Sequence, residues 1–300
     1  MTMTIEEIIK KYSNKLDRLD LELILAHSLG KTREFVLVHQ DYEIQTVKIE
    51  NLKFKISQRI KGKPIAYITG HKEFYGLDFI VNKNTLVPRP ETEMLVENVL
   101  HFIQDTRYKI QDTRIVDVGT GSGNIIISLA KNAKNFKFQI SNFKFYGIDI
   151  SAEALKVAKK NARLHGVEKK IKFLQGNLLE PFLRNIKPSV TSHHSLIITA
   201  NLPYLSKEIY QSAPIDVKKY EPKSALYSAE GGLAHYHELL LQLKTSHVPC
   251  SMFHVSCFLE ISPEQKNPLS KIIKNIFPTA KISFEKDLAG KWRVCKIEIQ

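Results

Sequence analysis

A glycine-rich segment between a short apolar stretch and a helix-like stretch is the first candidate for ligand chemistry. Glycines in such a turn let the backbone bend tightly and come close to a bound molecule. A carboxylate, Asp149, ends the next apolar stretch, where it can accept hydrogen bonds from both ribose hydroxyls of an adenosine cofactor. The glycine segment, which we expect to cradle that cofactor, reads Gly119-Thr120-Gly121-Ser122-Gly123.

The spacing of these glycines discriminates between cofactors. A dinucleotide site needs Gly-x-Gly-x-x-Gly, whereas here the third glycine is Gly123 and the next residue is Asn124. A P-loop is excluded because no Gly-Lys-Ser/Thr follows. The form Asp-x-Gly-x-Gly-x-Gly resembles the first motif of S-adenosyl-L-methionine-dependent methyltransferases. A tight strand-to-helix turn without a ligand is the alternative interpretation.

A second candidate is the tetrapeptide Asn201-Leu202-Pro203-Tyr204, which resembles the Asn/Asp-Pro-Pro-Tyr of amino-group methyltransferases. An amide or exocyclic nitrogen is a poor nucleophile because its lone pair is delocalised, so it has to be held in line with the methyl group. The Asn201 side-chain oxygen and the carbonyl of residue 202 can accept its two N–H groups. Pro203 favours an extended residue 202, and Tyr204 can stack on the planar target. A turn at a strand end is the alternative.

Strands and helices are predicted to alternate from about residue 113, which is typical of a mostly parallel α/β sheet. Ligands bind at the carboxyl edge of such a sheet, so both motifs should meet there. The predicted strands are 113–118, 143–148, 171–175, 196–200, 253–261, 281–284 and 293–299. The predicted helices are 122–132, 152–164, 233–243 and 269–276.

The first sixty residues predict helices instead. Thr4 and Glu7 have the spacing of a capping box, a second helix should end near Gly30, and a third should span 48–61. Glycines and prolines in 62–90 predict a hairpin-bearing linker that includes the stretches 64–69 and 77–82. Two domains follow: an N-terminal helical bundle with a hairpin linker for substrate recognition, 1–85, and an S-adenosyl-L-methionine-dependent methyltransferase domain, 86–300.

Composition excludes other classes of protein. The 300 residues carry a net charge of +13, and 43% are hydrophobic, which rules out a disordered, collagen-like or membrane-spanning chain. The three cysteines, Cys250, Cys257 and Cys295, form no Cys-x-x-Cys pattern, so reduced thiols and no metal site are expected. The charged first residues lack the apolar core of a signal peptide. We therefore expect a cytoplasmic protein.

Further segments extend the resemblance to nearly the whole chain. On these motifs the sequence resembles the HemK-type protein-(glutamine N5) methyltransferases. The most specific signature is Val87-Pro88-Arg89-Pro90-Glu91-Thr92-Glu93. The other matching segments are Pro64-Ile65-Ala66-Tyr67-Ile68-Thr69-Gly70, Glu73-Phe74-Tyr75-Gly76-Leu77, Tyr220-Glu221-Pro222, Ala225-Leu226-Tyr227, Leu259-Glu260-Ile261 and Asp287-Leu288-Ala289-Gly290.

The resemblance implies a small N-terminal helical domain, a seven-stranded Rossmann-like class I methyltransferase sheet and S-adenosyl-L-methionine as cofactor. The implied substrate is the glutamine in the Gly-Gly-Gln motif of class-I peptide chain release factors, with no nucleic acid or membrane required and a monomer expected. Gly119 to Gly123 would cradle the cofactor, Asp149 would hold its ribose, and Asn177 and Leu178 would flank its adenine. The residues Asn201, Leu202, Pro203, Tyr204 and Leu205 would hold the glutamine, with Asn201 also beside the cofactor.

Several positions depart from the family's pattern. Leu202 replaces a proline, which keeps the carbonyl and loses the rigid ring. Asn177 stands where an acid is usual, and Leu178 replaces an aromatic residue. The family's Gly-Gly-Glu-Asp-Gly-Leu run appears as Ser228-Ala229-Glu230-Gly231-Gly232-Leu233, and we assign it no role.

Three other functions are compatible with parts of the sequence. An adenine N6-methyltransferase acting on RNA or DNA is the main alternative, because Asn-Leu-Pro-Tyr also occurs in ribosomal RNA adenine dimethylases and +13 suits a nucleic acid. Against it stand the family signature and the lack of a basic stripe interleaved with aromatic residues. The others are a sister enzyme that methylates a ribosomal protein glutamine and a non-catalytic binding module.

Overall fold

The computed structural model describes residues 2–105, 113–133, 143–185, 194–245 and 253–299. Cys250 lies outside these ranges, whereas Cys257 and Cys295 are buried thiols. The chain divides into two compact units. One contains Met1–His71 with Pro214–Tyr220, and the other contains Lys72–Ala213 with Glu221–Gln300. The domain bounds 1–85 and 86–300 stay predictions.

The elements of both units run in the following order. The helices are α1 Ile5–Tyr12, α2 Arg18–Leu29, α3 Arg33–Val38, α4 Thr46–Ile60, α5 Ile65–Thr69, α6 Glu93–Gln104, α7 Asn124–Asn132, α8 Ala152–Leu164, α9 Glu180–Leu183, α10 Lys207–Ser212, α11 Ile215–Tyr220, α12 Ala229–Gly232, α13 Ala234–Thr245 and α14 Lys266–Ile276. The strands are β1 Met3–Thr4, β2 Glu43–Ile44, β3 His71–Phe74, β4 Leu77–Ile80, β5 Arg114–Val118, β6 Lys144–Asp149, β7 Ile171–Gln175, β8 His194–Ala200, β9 Phe253–Glu260, β10 Lys281–Lys286 and β11 Trp292–Ile299.

The first unit is a helical bundle around an apolar core. The predicted capping box at α1 is confirmed: Thr4 Oγ1 accepts from the Glu7 N–H at 3.2 Å, and the Glu7 carboxylate accepts from the Thr4 N–H at 3.0 Å. The predicted end of α2 is also confirmed, because Gly30 has a φ of 68°, which costs glycine little. The core residues are Ile5, Ile8, Leu21, Ile24, Leu25, Ala26, Leu29, Val36, Ile44, Ile49, Leu52, Ile56 and Ile68.

The second unit is built on a seven-stranded sheet in the order β10-β11-β9-β8-β5-β6-β7. Strands β5 to β9 pair in parallel, and β11 pairs antiparallel with both β9 and β10. The predicted mostly parallel α/β sheet is therefore confirmed. Strand β5 lies between β6 and β8, which is the point where the strand order reverses. Ligands of open α/β sheets bind outside the carboxyl ends of the strands at such a point.

Some predicted elements differ from the structure. The stretch 64–69 was expected within a hairpin linker, but Ile65–Thr69 is helix α5 and Ile68 packs in the core of the first unit. The hairpin pairs β3 with β4 instead. The short helices α3, α10 and α11 were not predicted, because each has only six residues and too few turns for a periodic pattern. None of the described helices is long and apolar enough to cross a membrane.

A buried asparagine of α8 connects the hairpin to the glycine segment. The Asn161 side-chain oxygen accepts from the Ile80 N–H at 2.8 Å. Its amide nitrogen donates to the carbonyls of Ile80 at 2.9 Å and Ser122 at 2.8 Å. Asn161 is fully buried, so its loss leaves these backbone groups unpaired.

We expect Asn161→Ala to lower the free energy of unfolding by about 2–4 kcal/mol, because unsatisfied buried polar groups are costly. Denaturant titration measures this change. Asn132→Ala is the matched control and should cost less than about 1 kcal/mol. Within the described ranges, the Asn132 side chain donates only to the Ser128 carbonyl of its own helix. Equal effects of the two substitutions would contradict the assignment of Asn161 as a connecting residue.

Candidate active site

A cavity of about 270 Å³ opens at the carboxyl edge of the sheet in the second unit. It brings together most of the residues that the sequence nominated. Gly123, Tyr204 and Leu205 are not among the residues that line it. Lining residues from the nominated set are Gly119, Thr120, Gly121, Ser122, Asp149, Asn177, Leu178, Asn201, Leu202 and Pro203.

The glycine segment is shaped by left-handed backbone and close packing. Gly119, Gly121 and Gly123 have φ angles of 73°, 55° and 82°, a region that favours glycine. A Cβ on Gly119 would lie 2.9 Å from the Leu202 side chain, and a Cβ on Gly123 would lie 2.8 Å from that of Ile127. The positive φ angles favour glycine at both positions, and a Cβ at either position would force the neighbouring side chain to shift. The Gly119 contact joins the two motifs.

The buried carboxylate of Asp117 holds the glycine segment in place. Asp117 accepts from the Thr120 hydroxyl at 2.6 Å and from the Thr199 hydroxyl at 2.9 Å. It thereby connects the glycine segment to strand β8. Complete burial raises the pKa of Asp117 to about 7, against the lowering effect of the two hydroxyls.

Asp149 ends β6 beside the glycine segment. One carboxylate oxygen accepts from the Gly121 N–H at 2.9 Å, and the other accepts from the Ser151 N–H at 2.8 Å. Burial raises the pKa of Asp149, against the lowering effect of these backbone donors. A carboxylate has about four acceptor sites, so further sites remain for two ribose hydroxyls.

Asn177 and Leu178 follow β7 on the same edge. The Asn177 amide nitrogen donates to the Glu238 carboxylate, which leaves the Asn177 oxygen available as an acceptor. Leu178 is buried and has a φ of 48°, a strained conformation for a branched side chain. Such strain is found where a ligand or close packing fixes the backbone.

Asn201 is oriented by a residue of the family signature. Its amide nitrogen donates to the Thr92 hydroxyl at 3.0 Å, and none of the described residues donates to its side-chain oxygen. Within the described ranges no residue donates to the Leu202 carbonyl. Two acceptors on neighbouring residues are thus available at the cavity.

Tyr204 and Leu205 lie behind the cavity. The Tyr204 hydroxyl is 3.4 Å from a Glu260 carboxylate oxygen, and burial raises the pKa of this phenol. The Leu205 N–H donates to the Leu226 carbonyl at 2.9 Å, and its own carbonyl accepts from Ser228 at 3.0 Å. Their roles in substrate binding stay predictions.

Sequence reasoning missed several residues that support the tetrapeptide. Thr92 and Arg89 belong to a signature that was recognised without a role for each residue. Arg89 pairs with the buried Glu221 carboxylate, which also accepts from the Val87 N–H at 3.2 Å. Gln265 donates to the Tyr204 carbonyl at 3.0 Å.

The segment 228–233, to which no role was assigned from the sequence, also contacts the tetrapeptide. A Cβ on Gly232 would lie 2.1 Å from the Tyr204 carbonyl oxygen, so only glycine fits there. No pattern in a single sequence signals such a contact. Among the described residues no cluster of three or more His, Cys, Asp or Glu side chains could hold a metal ion.

Comparison with known proteins decides the family. Two family profiles match the chain, a PrmC N-terminal domain over residues 5–70 and a methyltransferase domain over residues 109–214. A release factor glutamine methyltransferase of Dictyoglomus turgidum is 34% identical, with 99% of each chain covered. That of Enterococcus faecalis is 36% identical over 87% of this chain and 85% of the relative. The chain belongs to the release factor glutamine methyltransferase family. It is therefore an S-adenosyl-L-methionine-dependent methyltransferase, as the motifs indicated.

Solved structures support the fold alone. The catalytic domain of hMettl16, crystallised in complex with MAT2A 3′UTR hairpin 6, has a TM-score of 0.51 and 15% identity. The match covers 82% of this chain and 81% of that one. The class I methyltransferase fold expected for the family is thereby confirmed.

The cavity fits the family's cofactor by its own chemistry. Gly119 lines the cavity and carries no side chain, so its backbone can lie directly against a ligand. The Asp149 carboxylate is fixed by two backbone donors and keeps acceptor sites for a ribose. The Asn177 oxygen offers one more acceptor for a polar ring edge.

We expect Asp149→Ala to weaken the binding of S-adenosyl-L-methionine, which tests this fit.

Proposed function

We propose that this chain methylates the side-chain amide N5 of the glutamine in the Gly-Gly-Gln motif of class-I peptide chain release factors. The observation that carries the proposal is the fixed Asn201 amide, whose nitrogen donates to Thr92 and whose oxygen is thereby left to accept. Next to it is the Leu202 carbonyl. A primary amide nitrogen carries two N–H groups, which is the number of acceptors present.

The chain's own residues contribute positioning rather than acid–base strength. Bound S-adenosyl-L-methionine supplies an electrophilic sulfonium methyl group, which leaves sulfur as the new nitrogen–carbon bond forms. Asn201 and Leu202 hold the amide nitrogen by its N–H groups, which limits its rotation and increases electron density at nitrogen. The nitrogen gives up one proton to solvent in exchange for the methyl group. The cofactor would be held by the glycine segment, Asp149, Asn177 and Leu178.

The partner assignment rests on the relatives, which are named release factor glutamine methyltransferases. A primary amide and the exocyclic amine of adenine both present two N–H donors. Nothing in the described residues therefore favours the adenine N6 alternative. We also propose that the enzyme is monomeric and cytoplasmic, and that it needs neither a nucleic acid nor a membrane.

The experiment is methyl transfer from labelled S-adenosyl-L-methionine to a purified release factor, with unmethylated RNA in a parallel reaction. We expect label in the release factor and none in the RNA. A release factor whose Gly-Gly-Gln glutamine is replaced by alanine is the matched control and should stay unlabelled. Label in RNA alone would overturn the proposal.

Leu202→Pro tests whether the carbonyl of residue 202, rather than its side chain, contributes to transfer. Proline keeps this carbonyl, so we expect kcat within about threefold of the original, a change of less than roughly 1 kcal/mol in barrier. The free energy of unfolding should fall by about 1–3 kcal/mol, because a buried leucine side chain is replaced by a smaller ring.

Single-turnover kinetics and denaturant titration measure the two quantities. Leu202→Ala is the control, since it keeps both the N–H and the carbonyl and removes only the side chain. A folded Leu202→Pro protein whose kcat falls by about a hundredfold or more, equivalent to roughly 3 kcal/mol, would contradict the role of this carbonyl.

A further inference from the structure

The loop that follows β7 is held by helix α13. The Asn177 amide nitrogen donates to the Glu238 carboxylate, and the Leu179 N–H donates to the Gln242 side-chain oxygen at 2.8 Å. Glu238 and Gln242 are four positions apart in α13, so they lie on one face of the helix. This face therefore holds the loop on both sides of Leu178, whose φ of 48° is strained for a branched side chain.

Glu238 determines which way the Asn177 amide faces. The oxygen and the nitrogen of an asparagine side chain are told apart by their hydrogen-bond partners. A carboxylate has acceptor sites and no proton to donate, so the Asn177 nitrogen faces Glu238 and the Asn177 oxygen faces away from it. Among the described residues none donates to this oxygen. The contact with Glu238 is therefore what distinguishes the two orientations of the amide.

Gln242 holds the backbone of the loop rather than a side chain. Its oxygen accepts from the Leu179 N–H, so its nitrogen is left to face Glu238. That nitrogen is 3.4 Å from the Glu238 carboxylate, which is long for a hydrogen bond. The orientation of Asn177 and the anchoring of the loop thus depend on different residues, and substitution can separate them.

The loop borders the part of the cavity where the base of an adenosine would lie. Strands β6 and β7 pair in parallel, with Asp149 opposite Gln175 at their ends. Asn177 follows this end and lines the cavity. His235, one turn before Glu238 in α13, lines it too. A ribose held by Asp149 therefore places its base beside the loop and α13.

We infer that Glu238 is a positioning residue for the cofactor, which fixes the Asn177 oxygen as an acceptor for the exocyclic amino group of adenine. The place of the cofactor in the cavity is taken from the proposed function, on which this inference rests. An amide accepts hydrogen bonds through its oxygen alone, so this acceptor depends on the orientation that Glu238 sets. A base with a carbonyl oxygen in place of the amino group would meet acceptor with acceptor and is rejected.

The test is the preference of the protein for S-adenosyl-L-homocysteine over S-inosyl-L-homocysteine, measured as two dissociation constants by isothermal titration calorimetry. Neither ligand carries a transferable methyl group, so the result does not depend on a release factor. We expect the original protein to prefer the adenine ligand by about tenfold or more, as for one hydrogen bond that the other ligand cannot form. Glu238→Ala should lower this preference to about threefold or less, because the Asn177 amide can then turn.

Two substitutions serve as controls. Gln242→Ala releases the Leu179 N–H and keeps the hydrogen bond between Asn177 and Glu238, so it should weaken both ligands equally and retain the preference. Glu264→Ala removes an exposed acid that is not among the residues lining the cavity. It should leave both dissociation constants within about twofold of the original values.

A double substitution, Asn177→Asp with Glu238→Gln, tests the inference by rescue. An aspartate is an acceptor through either oxygen, and the glutamine can donate to one of them. We expect the double substitution to restore the preference for the adenine ligand that Glu238→Ala loses. Equal affinity of the double variant for the two ligands would overturn the inference.

An unaltered preference in Glu238→Ala would also overturn the inference, even if both ligands bound more weakly. The same holds for an original protein without a preference, or for Gln242→Ala losing as much preference as Glu238→Ala. Since Glu238 is exposed, its replacement leaves the core packing intact. Failure to methylate a release factor, with the preference for the adenine ligand present, would instead count against the proposed function.

Discussion

Asn201→Ala is expected to lower kcat by about 10²–10³-fold, the effect of removing one well-placed polar group that acts on the reacting centre. The loss follows from the geometry: the Asn201 nitrogen is occupied by Thr92, and alanine provides no oxygen for the substrate N–H. The dissociation constant for S-adenosyl-L-methionine should change by less than about threefold, since this is less than roughly 1 kcal/mol. Single-turnover kinetics and calorimetry measure the two quantities.

The matched control is Asn98→Ala. Asn98 is a partly exposed residue of α6 whose amide, among the described residues, donates only to the Met94 carbonyl of its own helix. It should retain the original kcat. Unchanged turnover in Asn201→Ala would contradict the role assigned to the Asn201 oxygen. If cofactor binding were lost as well, Asn201 would instead be assigned to cofactor binding.

Asp149→Ala is expected to weaken S-adenosyl-L-methionine binding by about 10–100-fold, as for the loss of one or two hydrogen bonds to a charged acceptor. Two effects act in the same direction. The ribose loses its acceptor, and the Gly121 N–H loses the carboxylate that holds it at 2.9 Å. Isothermal titration calorimetry measures the dissociation constant.

Glu153→Ala is the control for Asp149→Ala. Glu153 is an exposed acid on the next helix, where it pairs with Lys156, so its loss changes the net charge equally. The cofactor affinity of Glu153→Ala should stay within about twofold of the original. An equally small change in the cofactor affinity of Asp149→Ala would contradict the assignment of Asp149 as a ribose-binding residue.

The α/β part of the fold could be predicted because its central strands, such as β5, are mostly buried and apolar, while edge strands such as β10 alternate between apolar and polar residues. The strand prediction 171–175 and the helix prediction 152–164 match β7 and α8 residue for residue. The pattern failed where elements are short. Helix α5 has five residues, and the glycines and prolines around it made a hairpin linker the natural prediction. Its helical state depends on packing with the first unit's core.

The candidate site was predictable at the level of motifs. Gly119 and Asp149 belong to a local strand–turn–helix arrangement that recurs in a short sequence pattern. The link from Asn201 to Thr92 spans 109 positions along the chain, and the contact of Gly232 with Tyr204 arises only after folding. Contacts of this kind have no fixed spacing along the chain, so a single sequence does not reveal them. The signature around Thr92 was recognised, but its purpose required the structure.

The central claim is that the amide nitrogen of one release-factor glutamine receives the methyl group. Tandem mass spectrometry of a release factor, after incubation with this protein and S-adenosyl-L-methionine, locates the modification directly. We predict one methyl group on the side-chain nitrogen of the Gly-Gly-Gln glutamine, and none when Asn201→Ala replaces the original protein. A methyl group on another residue, or an unmodified factor with a folded and cofactor-bound enzyme, would contradict the account.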